Sequence, residues 1–366
     1  MHLRSLTLNN FKNYELVEIE LSSKINCFAG ANGVGKTNIL DAIHYLSLTK
    51  SFFNSIDSVN IRHGEDYFII QGEMIRNGDE DRLYCAFQKQ KQKIMKRNGK
   101  EYKKLSEHVG NYPVVMISPA DSSLITEGSE ERRKFMNKII SQYDAVYLDS
   151  VIQYNKAILQ RNRLLKDFKT SNIDGDMLAV WDAQLIKHGV YIYDARKKLI
   201  DELKPVFQEY YSLISSSKER VKLEYISHLN ESDFEKALSD SLKKDLYLEY
   251  TTVGVHKDNL ALEMNGFPIK TIGSQGQQKS FLTALKLAKF DYIKRMSGYP
   301  PMLLLDDIFD KFDSERVEQI IRLVNSSMFG QIFITDTHCN RLQDILSLHN
   351  AEYKLFNISD NAVNAQ

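Results

Sequence analysis

The chain has 366 residues, of which 43% are hydrophobic and 26% charged, proportions typical of a globular protein and not of a disordered or fibrous one. About two or three domains with a large buried core are expected at this length. Lysine plus arginine and aspartate plus glutamate balance at 48 each, which excludes a global field for nucleic acid, so any affinity for DNA must come from local basic patches.

The sequence shows no sign of export or of a membrane span. Its N-terminal stretch, MHLRSLTLNNFKNYELVEIEL, lacks a basic segment followed by an apolar one, and no run reaches the roughly 18 apolar residues of a membrane helix. The three cysteines, Cys27, Cys85 and Cys339, stand far apart, without the spacing of a zinc or redox motif. We expect a cytoplasmic protein with no membrane partner.

Two predicted strands open the chain. Residues 17–21, VEIEL, alternate apolar and acidic side chains with the period of two of a half-buried strand. The apolar stretch that begins at Lys24 and Ile25 predicts a second strand, and FAGANGVGKTN follows at residues 28–38. From Ile39 the pattern becomes helical.

The segment between this strand and helix fits the phosphate-loop pattern G-x-x-x-x-G-K-[ST]. The glycines allow backbone N–H groups to surround phosphate oxygens, Lys36 neutralises phosphate charge, and the Thr37 hydroxyl reaches Mg²⁺. The helix adds about half a positive charge at its N-terminus. The sequence therefore predicts a nucleotide site formed by Gly30, Ala31, Asn32, Gly33, Val34, Gly35, Lys36, Thr37 and Asn38.

Several short strands follow, with YFIIQGEM, LYCAF and PVVMIS as candidates. Between the last two lies KQKQKIMKRNGKEYKK at residues 89–104, in which eight lysines or arginines accompany one glutamate. A later stretch, QRNRLLKDFK, is also basic. Each is either a solvated face or a surface for DNA phosphates. The candidate DNA contacts are Lys93, Lys96, Arg97, Lys100, Arg161 and Arg163.

Residues 125–217 have a helical pattern. Apolar side chains recur at helical steps, first at Tyr147, Val151, Tyr154, Ile158 and Leu165, and then at Trp181, Leu185, Ile192, Leu199 and Leu203. Strand signals resume afterwards, and Asn265-Gly266 predicts a hairpin because both residues tolerate positive φ. We expect an α/β fold in which a nucleotide domain, residues 1–124 and 218–366, is interrupted by a helical domain, residues 125–217.

The second half of a nucleotide site is predicted at PMLLLDDIFDKFD, residues 301–313. Its apolar run is typical of a buried parallel strand, and Asp306 and Asp307 follow at the carboxyl end, where ligands bind in open α/β sheets. We expect Asp306 to hold Mg²⁺, directly or through water, and Asp307 to orient or deprotonate the attacking water. The alternative is that both aspartates only begin a solvated turn.

The stretch GSQGQQKSFLTALKLAKF precedes this strand and predicts a helix. Gly276 allows close backbone approach and Ser274 offers a hydroxyl, which favours a second anion-binding helix N-terminus. Ser274 with Gln277 also fits a capping box, and a capping box needs no ligand.

Taken together, these motifs resemble the ABC-type ATPases of the SMC-like head family, in the form found in its RecF branch. SQGQQK is similar to the signature motif of that branch, and LTLNNFKNY to its opening strand and turn. SPADSSLITEGSEERRKFMN and YNKAILQRNRLLK are similar to its arm motifs, and the order agrees over nearly the whole chain. The sequence departs from the family pattern in the motif GVHKDNL, and at Phe53, where arginine is common.

The resemblance implies an ABC/SMC-like ATPase head with an inserted helical arm, binding ATP and Mg²⁺. Ser274, Gly276 and Gln277 of one subunit would cap the γ-phosphate that the loop of another subunit holds, which gives an ATP-dependent homodimer. Lys12 would border the base and ribose.

Catalytic residues are also implied. Asp307 and Lys36 would be joined by His338, in the TDTH stretch that follows the strand-like QIFI. A polar residue at a strand end is often only a turn former, so both interpretations of His338 stand.

The resemblance further implies a role in recombinational repair and replication-fork maintenance. ATP would drive dimerisation on double-stranded DNA near single-strand gaps and junctions, and a weak, DNA-stimulated hydrolysis would release it. RecO and RecR would be partners that assist the loading of RecA.

Two other ABC-type ATPases remain as alternatives. A nucleotide-binding subunit of a transporter would need a coupling surface and the LSGGQ form of the signature. The head of an overcoming-lysogeny-type nuclease would need an acidic metal-binding domain, for which the chain after Asp313 is too short.

Overall fold

The described residues of this computed structural model are 1–167, 175–215, 219–307, 319, 328–337, 352–359 and 362–365. They belong to two compact units. The first comprises Met1–Ser122, Tyr210–Ser217 and Gln275–Gln366, and the second Ser123–Glu209 and Lys218–Ser274.

One sheet of the first unit is antiparallel and has six strands. Its members are β1 (His2–Phe11), β2 (Tyr14–Glu20), β4 (Tyr67–Arg76), β5 (Asp79–Gln88), β6 (Ile94–Arg97) and β7 (Lys100–Glu101), in the order β2-β1-β4-β5-β6-β7. In β2, buried Val17 and Ile19 alternate with exposed glutamates, which confirms the predicted period of two. Asn77 and Gly78, at φ 53° and 90°, form the turn between β4 and β5, as a tight hairpin requires.

The other sheet of this unit carries the buried apolar strands. Its members are β3 (Ile25–Ala29), β8 (Val114–Ile117), β12 (Met302–Asp306), β13 (Ile332–Asp336), β14 (Tyr353–Ser359) and β15 (Ala362–Ala365), in the order β15-β14-β3-β13-β12-β8. All pairs except β14 with β15 are parallel. Every residue of β3, β8, β12 and β13 is buried, as expected for parallel strands covered on both faces.

Helix α1 (Lys36–Leu48) supplies side chains to a core that it shares with both sheets. The side chain of Gln331, just before β13, joins the sheets directly. Its Oε1 accepts from the Leu3 N–H at 2.6 Å, and its Nε2 donates to the carbonyl oxygens of Leu3 and Ser22, each at 2.7 Å. A second helix of this unit, α8 (Gln275–Ser297), is buried almost continuously from Ser280 to Ile293.

The second unit is mainly helical. Its helices are α2 (Ser123–Thr126), α3 (Ser129–Ile140), α4 (Ala145–Asp167), α5 (Gly175–Ser215), α6 (Phe234–Leu248) and α7 (Ile269–Ile272), and the last turns of α5 count with the first unit. The two predicted apolar faces lie on α4 and α5, where Tyr147, Tyr154, Leu185 and Leu199 are buried. No helix among the described residues is long and apolar enough to cross a membrane.

The boundary between the units differs from the predicted one after the long helices. Residues 218–274 group with the helical unit, although the sequence placed them in the nucleotide domain. The reason is strand pairing: β9 (Val221–Ile226), β10 (Asn259–Met264) and β11 (Phe267–Pro268) form a separate antiparallel sheet, in the order β11-β10-β9. The predicted hairpin at Asn265-Gly266 is confirmed, with φ 51° and 83° between β10 and β11.

His108 is a buried histidine whose protonation opposes folding. Its Nε2–H donates to the Leu46 carbonyl of α1 at 2.8 Å, and its Nδ1 has no hydrogen-bond partner in the described part of the chain. Burial lowers the pKa of His108 from 6.5 to about 4. A proton on Nδ1 would therefore be buried without an acceptor.

We expect the pH dependence of stability to report this residue. In the unfolded chain His108 takes up a proton near pH 6.5, but in the folded protein it does so only near pH 4. The free energy of unfolding is therefore highest above pH 6.5 and falls as the pH is lowered from 6.5 to about 4. The loss should reach about 3 kcal/mol. In His108→Gln, which can still donate to Leu46 but does not titrate, urea unfolding from pH 7 to 4 should show a flatter profile. Equal profiles would contradict the assignment.

Candidate nucleotide-binding site

The loop between β3 and α1 adopts a conformation that only glycine accommodates easily. Gly30, Gly33 and Gly35 have φ of +156°, +84° and +109°. A Cβ atom on Gly30 would lie 2.4 Å from the Ile358 carbonyl oxygen, and one on Gly35 would lie 2.4 Å from the Asn13 amide nitrogen. Steric room and backbone conformation therefore both explain these glycines, as the phosphate-loop pattern predicts.

Lys36 begins α1 and turns its side chain back onto this loop. The residue is only 6% exposed, and its Nζ donates to the carbonyl oxygens of Gly30 and Ala31 at 2.6 and 2.8 Å. The ammonium group is thus positioned by the loop that precedes its own helix. A bound anion at this helix N-terminus would lie close to its positive charge.

A buried carboxylate collects three hydroxyl groups beside the loop. Asp306 Oδ1 accepts from Thr37 Oγ1 at 2.8 Å and from Thr335 Oγ1 at 3.0 Å. Asp306 Oδ2 accepts from Ser118 Oγ at 3.2 Å. The strand order explains the meeting, because β8, β12, β13 and β3 are parallel neighbours whose carboxyl ends lie at one edge of the sheet.

The environment of Asp306 fits a hard metal cation. Burial raises the pKa of Asp306, while hydrogen bonds from Thr37, Thr335 and Ser118 and the charge of Lys36 oppose that rise. Carboxylate and hydroxyl oxygens are ligands that Mg²⁺ prefers, and Mg²⁺ usually takes only one or two carboxylates together with phosphate oxygens. The described residues contain no group of three or more His, Cys, Asp or Glu side chains that could hold a metal alone.

Asp307 follows directly in a left-handed backbone conformation, at φ +48°. Its N–H donates to Thr335 Oγ1 at 2.9 Å, and the residue is half-buried. The Thr335 hydroxyl therefore contacts both aspartates. Left-handed backbone in a residue other than glycine is uncommon, and aspartate tolerates it better than most.

The turn between β1 and β2 borders the glycine loop. Asn13 Nδ2 donates to the Val34 carbonyl at 3.2 Å, and Asn13 Oδ1 accepts from Asn38 Nδ2 at 2.6 Å. Lys12, predicted to border the base and ribose, forms an ion pair with Asp41 at 2.5 Å. Its ammonium group also lies 5.4 Å from the ring centroid of Phe53.

Asp41 is a residue of this region that the sequence patterns did not single out. Its side chain is fully buried on α1 and accepts from Ser51 Oγ and the Phe52 N–H, each at 2.6 Å. The sequence contains a signal, because Asp41 interrupts the apolar stretch of α1 between Leu40 and Ala42. An acidic residue in such a position requires partners when it is buried.

The structure also locates the other predicted nucleotide contacts. Helix α8 begins at Gln275, immediately after the exposed Ser274, with Gly276 and Gln277 half-buried in its first turn. A helix N-terminus at this point agrees with both the anion-binding and the capping interpretation. His338 lies outside the described residues. Strand β13 ends at Asp336, and Thr337 follows it.

Two of the six candidate DNA contacts are internal instead of exposed, so the prediction is wrong for them. Lys93 has a side chain only 7% exposed, which bonds to Asp57, Tyr45 and the Thr49 carbonyl. Arg161 is fully buried and pairs with Asp182 and Asp245. Each charge is compensated inside the protein, which a basic run in a sequence does not reveal.

The other four candidates reach the surface to different degrees. Lys100 and Arg163 are exposed, and Lys96 is half-buried with its ammonium 5.7 Å from the Tyr84 ring. Arg97 is half-buried and forms an ion pair with the buried Asp81 at 2.8 Å. The basic run at residues 89–104 contains the paired strands β6 and β7, and we call it the basic hairpin. Its further exposed cations include Lys91, Lys103 and Lys104.

Comparisons with known proteins cover the whole chain. The family model described as "RecF/RecN/SMC N terminal domain" matches residues 2–356. A "DNA replication and repair protein RecF" of Flavobacterium johnsoniae is 48% identical over 359 residues, covering 98% of this chain and 100% of the relative. A protein of the same name from Bacteroides fragilis is 48% identical over 365 residues, covering 100% of this chain and 98% of the relative.

Solved structures agree in fold. One described as "Structure of the recombination mediator protein RecF-ATP in RecFOR pathway" has a TM-score of 0.89 and 29% identity, and the match covers 100% of this chain and 97% of the other. The Smc head domain of Pyrococcus furiosus has a TM-score of 0.58 at 18% identity, covering 100% of this chain and 96% of the other, and shares the fold alone. The expected ATPase-head fold is confirmed.

The burial of Arg161 has a measurable consequence for stability. Removing its guanidinium in Arg161→Met leaves Asp245, which has no exposed side-chain surface, without its ion pair. We expect the free energy of unfolding to fall by about 3–5 kcal/mol. Arg163→Met, a matched change at an exposed position two residues later, should alter it by less than about 0.5 kcal/mol. Urea titrations compare the two variants, and similar stabilities would show that the buried pair has been misjudged.

Proposed function

The chain belongs to the RecF family of the RecF/RecN/SMC ATPases, and we propose that it is a DNA replication and repair protein that uses ATP as a switch for dimerisation on DNA. The main support is the set of contacts at one sheet edge, where Thr37 of the glycine loop donates to Asp306 at 2.8 Å. Full-length similarity to replication and repair proteins favours this function over a transporter subunit or a nuclease head.

ATP and Mg²⁺ are the proposed ligands. Backbone N–H groups of residues 30–38 would bind the phosphates, and Lys36 would transfer its hydrogen bonds from the loop carbonyls to phosphate oxygens. Thr37 and Asp306 would hold Mg²⁺, which neutralises phosphate charge when it is bound. The match to a RecF structure described with ATP supports this assignment.

Hydrolysis would depend on the residue after the metal ligand. Asp307, whose backbone is fixed on Thr335, would orient or deprotonate the attacking water, and Lys36 would stabilise the developing charge. His338 is proposed as a further catalytic residue near the γ-phosphate. We expect a slow hydrolysis that is stimulated by DNA and serves release.

The second face of the nucleotide would come from another copy of the chain. Ser274, Gly276 and Gln277 stand at the N-terminus of α8, where N–H groups and the helix dipole favour an anion. These residues of one subunit would cap the γ-phosphate held by the loop of its partner. Loss of the γ-phosphate would remove charge-assisted hydrogen bonds from both faces, and the dimer would loosen.

Double-stranded DNA near single-strand junctions is the proposed nucleic-acid partner. Because the net charge is zero, binding requires local cations, and the basic hairpin presents several of them, including Lys96, Arg97 and Lys100, while Arg163 lies on α4. RecR and RecO are proposed as protein partners, with RecA as the indirect beneficiary. The RecFOR pathway named for the matching structure supports these partners.

Ser274→Arg tests the proposed switch. The added side chain should block capping in the partner subunit and leave the glycine loop intact. We expect ATP to bind the variant as it binds the unsubstituted protein, and ATP-dependent dimers to disappear. Sedimentation and DNA binding, each measured with ATP, with ADP and without nucleotide, give the result.

Thr271→Arg is the matched control, because it adds the same side chain at an exposed position outside the signature motif. It should dimerise normally. Dimers that persist in Ser274→Arg would refute capping between subunits. The switch would be refuted if the mass and the DNA affinity of the unsubstituted protein were the same with ATP, with ADP and without nucleotide.

The salt dependence of DNA binding tests the basic hairpin. Lys100 and Lys103 are exposed there and have no ion pair in the described part of the chain. Replacing both with glutamine should reduce the slope of log affinity against log salt by about 0.9 for each phosphate contact that is lost. The same change at the exposed Lys243 and Lys244 of α6 should leave the slope unaltered. Equal slopes for both double variants would show that the hairpin does not contact DNA phosphates.

A further inference from the structure

Helix α8 contributes Lys286 to a buried ion pair, three turns beyond the N-terminus assigned to capping. Lys286 Nζ lies 2.5 Å from Asp121 Oδ1, and the two side chains are 6% and 8% exposed. Lys286 Nζ also donates to the Met116 carbonyl of β8 at 3.2 Å. A lysine buried in this way fixes the helix against one defined set of oxygens.

Asp121 connects Lys286, through Ser118, to Asp306, the proposed metal ligand. Its Oδ2 accepts from the Ser118 N–H at 2.9 Å, and Ser118 Oγ donates to Asp306 Oδ2 at 3.2 Å. A continuous path therefore runs from Lys286 through Asp121 and Ser118 to Asp306. All members are buried, so water does not compete strongly for their hydrogen bonds.

Lys286 also contacts Phe52, a residue that is hydrogen-bonded to helix α1. Its ammonium lies 5.4 Å from the ring centroid of Phe52, whose N–H donates to Asp41 at 2.6 Å. Asp41 belongs to α1, the helix that begins with Lys36 and Thr37, and it pairs with Lys12. Lys286 in the middle of α8 is thus linked to Asp306 through Asp121 and Ser118, and to Asp41 of α1 through Phe52.

We propose that Lys286 and Asp121 are positioning residues that connect the capping end of α8 to Asp306 of the same subunit. The inference rests on the proposed function, since it assumes that the N-terminus of α8 contacts a nucleotide held by the partner. When that contact forms, α8 is held in place, and Lys286 and Asp121 fix Ser118 on the Asp306 carboxylate. Capping of the partner's nucleotide would thereby stabilise the alignment of the Asp306 site that the path already provides within each subunit.

The hydrogen-bond path should affect how tightly the site binds Mg²⁺. The Ser118 hydroxyl occupies one lone pair of Asp306 and so orients the oxygens that face the metal, and partners of metal ligands commonly change metal affinity when they are removed. A pair with a purely structural role would alter the unfolding midpoint and leave the Mg²⁺ requirement of the folded protein unchanged.

The decisive variant is Lys286→Met combined with Asp121→Asn. It removes both charges together, which avoids a buried carboxylate without a partner, and asparagine can still accept from the Ser118 N–H. The half-saturating Mg²⁺ concentration for ATP turnover by the full chain should rise by about tenfold, and so should the dissociation constant of Mg²⁺ measured by calorimetry on the complex with a non-hydrolysable ATP analogue. ATP affinity measured without Mg²⁺, and ATP-dependent dimerisation at saturating Mg²⁺, should stay within about twofold of the unsubstituted protein, because neither side chain belongs to the glycine loop or to the capping motif.

Ser118→Ala provides an independent test of the same path. Alone it should raise the Mg²⁺ requirement by about the same factor, and added to the double variant it should produce no further rise, since residues of one path are not additive. Lys294→Met is the matched control: this lysine lies on the same helix, and its ammonium bonds to the Met328 carbonyl at 2.8 Å. It should leave the Mg²⁺ requirement unchanged.

The outcomes separate the two proposals. If the unsubstituted protein dimerises with ATP and the double variant keeps a normal Mg²⁺ requirement, the path is refuted and the switch stands. A fully additive effect of Ser118→Ala would also refute it. If the unsubstituted protein forms no dimers with ATP, the proposed function fails and the path fails with it.

Discussion

The nucleotide site depends on one carboxylate that is removed from water. Asp306 is 3% exposed, and a charged group in such surroundings is unfavourable unless hydrogen bonds replace its hydration. Hydroxyl groups from Thr37, Thr335 and Ser118 provide that replacement, and each belongs to a different segment of the chain. Because the carboxylate needs all of these donors, it fixes the start of α1 and the ends of β8, β12 and β13 relative to one another. A site built on rigid elements in this way is aligned before a ligand arrives.

Several other cations are also compensated by carboxylates inside the protein. Lys12 forms an ion pair with Asp41, and Lys93 forms one with Asp57. Arg161 pairs with both Asp182 and Asp245. A chain with equal numbers of acidic and basic residues can satisfy many cations inside its own fold, and only the cations left at the surface contribute to attraction of DNA. The proposed DNA contact is therefore confined to a few side chains, and the slope of its salt dependence should be correspondingly small.

Motifs with a local physical cause could be predicted from the sequence. The glycines at 30, 33 and 35 are required by backbone conformation, the apolar run before Asp306 by burial on both strand faces, and the hairpin at 265–266 by positive φ. These determine the fold class and the P-loop half of the site. The sequence order of the strands does not reveal their spatial order, so the meeting of Ser118 with Asp306 could not be predicted.

Features that depend on distant partners were missed or misjudged for the same reason. Asp41 and Asp121 look like ordinary polar residues in the sequence, because their importance comes from Lys12 and Lys286, which are remote along the chain. Arg161 looked like a surface cation because a helix exposes most of its basic residues, and its two aspartates lie on α5 and α6. The extent of the helical unit was misplaced because β9 pairs with β10 and not with the nucleotide sheets.

Stability alone does not explain the buried ion pair between Lys286 and Asp121. Replacing such a pair with apolar side chains of similar volume is often neutral or stabilising, so its presence in α8 is not accounted for by stability. Its geometry offers a different explanation. One Asp121 oxygen binds Lys286 of the helix and the other accepts from the backbone N–H of Ser118, whose hydroxyl donates to Asp306. An apolar pair would hold α8 in place equally well, but it could not transmit the position of the helix to Asp306, because dispersion contacts lack the direction of a hydrogen bond.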